Sequence, residues 1–146
     1  VLVGKVLADY SEIAALPNTH LLGMKPYAEI PFYGKGFDVA LQLFILNEWT
    51  YNCSPLKTKE YLSLGLPVVS CPIREIEREL SDVVSVISDG PQLVAAITRE
   101  LAADNREARA RRQARVADDS WDARIEQMLA AYADSRRQTS TNDPSA

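Results

Sequence analysis

The sequence predicts an α/β chain built on a parallel sheet, and two observations carry that prediction. Short apolar runs rich in β-branched residues alternate with amphipathic segments of helix length, which is the pattern of β-α-β units. The runs are also evenly apolar rather than alternating, as strands buried on both faces must be. Five strand candidates follow, at residues 1–3, 19–22, 39–43, 67–70 and 83–87. Helices are expected between them at residues 9–15, 27–34, 55–63 and 73–80. Ser54 before Pro55 reads as an N-cap with proline at the first helical position, and Leu64-Gly65 as a glycine stop. Asp89-Gly90-Pro91 opens a longer helix to Leu101, and Asp104-Asn105 precedes another through about Ala117. After a break at residues 118–120, a last helix spans 121–133, with Trp121, Ile125, Met128, Leu129 and Tyr132 on one apolar stripe that must cover something. The polar segment from Gln138 to Ala146 has no pattern and is expected to be disordered. This divides the chain into a sheet domain at 1–103, closing helices at 104–135 and a tail at 136–146.

Composition narrows the function classes. The 146 residues are 47% apolar and 25% charged, the balance of a globular chain able to bury a core unaided. A net charge of -4 gives no long-range attraction to nucleic acid or to an anionic membrane. The densest basic segment, with Arg109, Arg111, Arg112 and Arg115, lies beside Glu100, Asp104 and Glu107 and reads as a solvated helix face with mixed charge pairs. Cys53 and Cys71 form no C-x-x-C pair, and with a single histidine there are too few soft ligands for zinc. Reduced thiols and a cytoplasmic location are the default, with contact at the inner face of the cell membrane allowed; no apolar run reaches membrane-spanning length. The opening Val1-Leu2-Val3-Gly4 lacks an initiator methionine and reads as a buried strand entering a turn, so the chain is expected to be a fragment.

In an open parallel sheet, ligands sit where strands end and loops lead into helix N-termini. The loop at residues 44–53 delivers the chain from the third strand candidate to the helix at Pro55. Backbone N–H groups of Leu56 and Lys57 would face an anion there, while Pro55 donates nothing. Lys57 either adds its charge to the same phosphate or points outward. Glu60, one turn on, either accepts from a vicinal diol such as a ribose or pairs with Lys57 or Lys59. Cys53 is small filler or pocket lining. His20, beside Leu21 and Leu22, reads as a partly buried strand residue, and Tyr61 as core. Trp49 and Tyr51 are candidates for the pocket border.

Asn52-Cys53-Ser54-Pro55-Leu56-Lys57-Thr58-Lys59-Glu60-Tyr61-Leu62, followed by Gly65-Leu66-Pro67-Val68-Val69-Ser70, resembles the donor-site signature of GT-B glycosyltransferases of the family 4 type. The likeness extends upstream through residues 18–31 and 36–40, and downstream to residues 119–124. It implies a doubly wound, Rossmann-like C-terminal domain of a GT-B fold with extra C-terminal helices, binding a UDP- or GDP-sugar. By the same resemblance Glu60 holds the ribose hydroxyls, and Asn52 stands where an acid usually touches the sugar. Ser54, Leu56 and Lys57 match the turn for diphosphate and sugar, and Met24 and Lys25 the main-chain turn beside the nucleobase.

Such a half would stabilise the departing diphosphate mainly with preorganised backbone dipoles. No Asp-x-Asp motif is present, since Asp118, Asp119 and Asp122 have the wrong spacing, so no metal or cofactor is expected. The family's basic pair for the diphosphate, its acceptor site and its further catalytic groups precede the matched region. The partners implied are therefore the donor and an N-terminal GT-B domain, with the 146 residues alone inactive. A GT-B epimerase and a non-catalytic remnant are the alternatives; Asn52 is the best support for the second.

Overall fold

A computed structural model describes residues 1–141, and the chain divides into two compact units, residues 1–37 and 38 onward. In the first unit the two expected strands reduce to a single parallel bridge between Leu2 and Leu21. Leu2 N–H donates to the His20 carbonyl at 2.8 Å and Leu22 N–H to the Leu2 carbonyl at 2.9 Å. Helix α1 (Ser11–Ala14) is one turn long, and a 3-10 turn (Tyr27–Glu29) leads into α2 (Ile30–Gly34). Pro31 sits in the first turn of α2, where its missing N–H costs no hydrogen bond. Gly34 is the one buried residue of the unit.

The second unit carries a parallel sheet of three strands in the order β1 (Ala40–Gln42), β2 (Val68–Ser70), β3 (Val84–Val86). These are the last three strand candidates, trimmed at their ends. Central β2 is wholly buried, as an evenly apolar strand must be, whereas Leu41 of β1 is 43% exposed. The crossovers follow from length. Helix α4 (Leu56–Ser63) joins β1 to β2 and packs on both. A π-helical segment (Ile76–Leu80) joins β2 to β3. Leu62, Val68, Val69, Ile73 and Ile76 have no exposed surface and form the centre of the core.

Helix α5 (Gly90–Ala103) is opened by Asp89, whose carboxylate accepts from Gln92 N–H at 2.8 Å, with Pro91 in the first turn. Asn105 caps α6 (Arg106–Arg115) in the same way, accepting from Ala108 N–H at 2.9 Å. Helix α7 (Trp121–Thr141) continues eight residues beyond 133 and through residues 138–141 of the segment read as a tail; residues 142–146 lie outside the described part. Its stripe is open, with Trp121, Ile125, Met128, Leu129 and Tyr132 between 52% and 77% exposed, so the expectation that it covers something is not met among the described residues. No helix among them is long and apolar enough to cross a membrane.

Arg109, Arg111 and Arg115 of the arginine-rich segment are exposed, as a solvated helix face requires, and Arg112 is the exception. Arg112 is 4% exposed, and its Nε donates to the Gly65 carbonyl at 2.9 Å while its guanidinium pairs with Asp104. Arg109 holds the second Asp104 oxygen at 2.6 Å. Burial by itself raises the Asp104 pKa. Hydrogen bonds and charge from the two arginines outweigh that and hold the carboxyl below the usual carboxylate range. The cluster ties α6 to the end of α4, where Gly65 has φ of +79° and a Cβ would lie 3.2 Å from Arg109 Cβ.

Three stability outcomes follow from this packing. Arg112→Met strands the Gly65 carbonyl and leaves Asp104 to Arg109 alone, and is expected to cost about 2 kcal/mol in denaturant unfolding. Because the folded Asp104 pKa is lowered, its contribution is complete above the unfolded value and is lost as pH falls through the folded one. The wild type is thus expected to lose more stability than Arg112→Met between pH 6 and pH 3. Thr58, fully buried with an unpartnered Oγ1, gives the opposite sign: Thr58→Val is expected to leave the unfolding midpoint unchanged or raise it.

Candidate functional site

The parallel pairing of β1 with β2 sets Gln42 opposite Ser70, so both strands end at the same level. Cys71 N–H then donates to the Gln42 carbonyl at 3.1 Å, and Phe44 N–H donates to Cys71 Sγ at 3.3 Å. The segments leaving the two strands therefore start side by side. The stretch after β1, expected to be a plain loop, contains a short helix α3 (Glu48–Tyr51). Asn47 Oδ1 accepts from Thr50 N–H at 2.9 Å and Thr50 Oγ1 accepts from Asn47 N–H at 2.8 Å, a reciprocal cap around a buried threonine. Asparagine followed three residues later by threonine was the sequence signal for this turn.

Helix α4 begins one residue later than expected. Pro55, with ψ of 96°, is itself the N-cap, Leu56 is the first helical residue, and Ser54 makes no capping hydrogen bond. Thr58 N–H closes back on the Pro55 carbonyl at 3.0 Å, and the N–H groups of Leu56 and Lys57 have no acceptor among the described residues. They border a cavity of about 600 Å³ whose wall also includes Asn52, Cys53 and Ser54, with Gln42 and Phe44 from the end of β1. Trp49, 76% exposed, lines it as well, whereas Tyr51 does not. No carboxylate lines this cavity. It brings together four of the expected donor-site residues, Asn52, Ser54, Leu56 and Lys57, at the C-terminal edge of the sheet.

The other expected residues lie elsewhere. Glu60 is half-buried on α4 and lines neither this cavity nor its neighbour. Lys59 bridges Glu75 at 3.1 Å and Asp119 at 3.5 Å, so its charge is spent on packing. Tyr61 is only half-buried rather than core; burial, then the charge of Glu60, pushes its hydroxyl pKa up. Met24 and Lys25 belong to the first unit. Met24 is 69% exposed there, and Lys25 Nζ lies 5.6 Å from the centroid of the Tyr33 ring. His20 is exposed instead of partly buried, because its strand is reduced to the single bridge and no layer covers it. Among the described residues no group of three His, Cys, Asp or Glu side chains could hold a metal ion.

Sequence reasoning passed over Arg74 and Arg78. They line a second cavity of about 370 Å³ together with Glu75 and Glu79, and Asn52 and Cys53 belong to both cavities. Arg74 follows β2 by four residues and reaches the segment after β1, where its Nη1 donates to Asn52 Oδ1 at 3.4 Å. Only the strand pairing makes these positions neighbours, so no local motif announces them.

Cys53 is partly exposed at this junction and Cys71 is buried. Burial chiefly, with smaller effects from Cys71 and Glu75, pushes the Cys53 thiol pKa up. Iodoacetamide is therefore expected to label Cys53 and spare Cys71 in the folded chain, at pH 7.5 several-fold more slowly than free cysteine, and faster as pH rises. Peptide mapping of the alkylated chain checks both statements. No protein-family profile, curated protein or solved structure matches this chain significantly.

Proposed function

We propose that this chain is the donor-binding half of a GT-B glycosyltransferase, with the second unit holding the diphosphate of a UDP- or GDP-sugar. The observation that supports the reading is the cavity at the end of β1, where two unpaired backbone N–H groups, the Lys57 side chain and the polar groups of Asn52 and Ser54 converge without a carboxylate. Unpaired N–H groups at the positive end of a helix favour an anion, and Lys57 adds a full charge to the same wall. As a glycosidic bond breaks, negative charge gathers on the diphosphate. Fixed amide dipoles and an ammonium stabilise that charge with little reorganisation.

In this proposal no metal is required, since Lys57 and the amides carry the charge compensation. Glu60 holds the ribose from its place one turn along α4. Transfer itself belongs to a longer protein whose N-terminal domain supplies the acceptor site, in a doubly wound arrangement that the three parallel strands are compatible with. The acceptor-free chain binds donor and turns nothing over.

Titration with UDP and GDP, followed by amide resonances, tests the reading. One of the two is expected to shift Leu56, Lys57 and Glu60 at millimolar concentration, unchanged by EDTA, while amides of α7 stay still. If those three resonances do not move with either nucleotide, the reading is wrong.

A further inference from the structure

Resting on that reading of the site, we propose that Arg74 is a specificity arm which selects a nucleotide sugar whose sugar ring carries a carboxylate. The starting point is the Asn52 amide, which is engaged at both ends. Its Nδ2 donates to the Glu48 carbonyl at 2.8 Å and its Oδ1 accepts from Arg74. Asn52 is thus less a hydroxyl reader than a bracket, fixed to α3 on one side and steadying a guanidinium on the other.

A guanidinium has five N–H donors in a planar fork, matched to the two oxygens of a carboxylate. Of the five in Arg74, one has a partner among the described residues, and its charge forms no ion pair there. The nearby acids do not cancel it completely. Glu75 is held by Lys59, and Glu79 shares its wall with a second arginine, Arg78. The adjoining cavity contributes Lys57 and no carboxylate. Across the two cavities Lys57, Arg74 and Arg78 stand against Glu75 and Glu79, and with Glu75 committed to Lys59 the Arg74 guanidinium is left over once Lys57 serves the diphosphate. Since Asn52 borders both cavities, a sugar that extends past it from the α4 side comes to Arg74. A neutral hexose leaves that charge unused, whereas a uronic acid meets it with a bidentate, charge-assisted pair.

The oxyanion could also be a phosphate of the diphosphate itself, and calorimetric titration of the 146-residue chain with UDP, UDP-glucose and UDP-glucuronate separates the sources; the GDP series replaces these if only GDP binds. The wild type is expected to bind the uronate about tenfold more tightly than the neutral sugar. Arg74→Ala should abolish that ratio while leaving UDP affinity unchanged, and Asn52→Asp, which gives the guanidinium an internal partner, should lower the ratio as well. Arg74 is exposed, so circular dichroism should show both variants folded. Equal wild-type affinity for the two sugars overturns the inference. So does an equal loss for all three ligands in Arg74→Ala, which would assign the arginine to the diphosphate. If no nucleotide binds the wild type, the donor-site reading itself fails, a result distinct from binding without selectivity.

Discussion

The register between β1 and β2 is the constraint on which the rest of the site depends. Parallel pairing with Gln42 opposite Ser70 ends both strands at one level and forces their outgoing segments to share the same edge. Ser70 reinforces the match, its Oγ lying 3.2 Å from the Gln42 carbonyl and 2.8 Å from the Cys71 carbonyl, so that its one proton is held at the junction of the two strands. A shift by one residue would turn Ala40 and Gln42 outward and Leu41 inward, and would separate Phe44 from Cys71. The cavity wall at Gln42 and Phe44, the position of α3, and the meeting of Asn52 with Arg74 all follow from this one alignment.

Charge is divided between two tasks across the second unit. Arg112, Arg109 and Lys59 are bound to Asp104, Glu75 and Asp119 and hold α6 and the segment before α7 against α4. Lys57 and Arg74 form no ion pair among the described residues, and both border the cavities beside Asn52. Cations that are structurally committed are screened by their partners and by burial. Those at the sheet edge are not neutralised by an ion pair, which is the basis for proposing an anion there in a chain with a net charge of -4.

How much of this was legible in the sequence depended on whether the signal was local. Strands β1 to β3 were readable from their short apolar runs, most plainly β2, which is covered on both faces, and the starts of α5 and α6 because Asp89 and Asn105 cap through their own side chains. Residues 1–3 and 19–22 carry the same kind of run, yet Leu2 is 46% and Leu22 37% exposed, since a run becomes a strand only where neighbours complete its ladder. Pro55 misled by one position because its fixed φ suits a first helical residue as well as an extended cap, and only ψ distinguishes them. The four cavity-lining residues Asn52, Ser54, Leu56 and Lys57 were legible as a contiguous motif. Arg74 was not, being twenty-two residues from Asn52 and joined to it by sheet pairing alone. Arg112 was hidden for a related reason: its acceptor, the Gly65 carbonyl, is forty-seven residues away.

The central claim is that the first turn of α4 holds a diphosphate, and the most direct measurement compares nucleoside with nucleoside diphosphate by calorimetry, uridine against UDP and guanosine against GDP. The account predicts that in the recognised pair the diphosphate contributes most of the affinity, that Lys57→Ala removes much of the difference, and that raising salt weakens it. Equal affinity for nucleoside and diphosphate, or a difference untouched by Lys57→Ala and by salt, would contradict it.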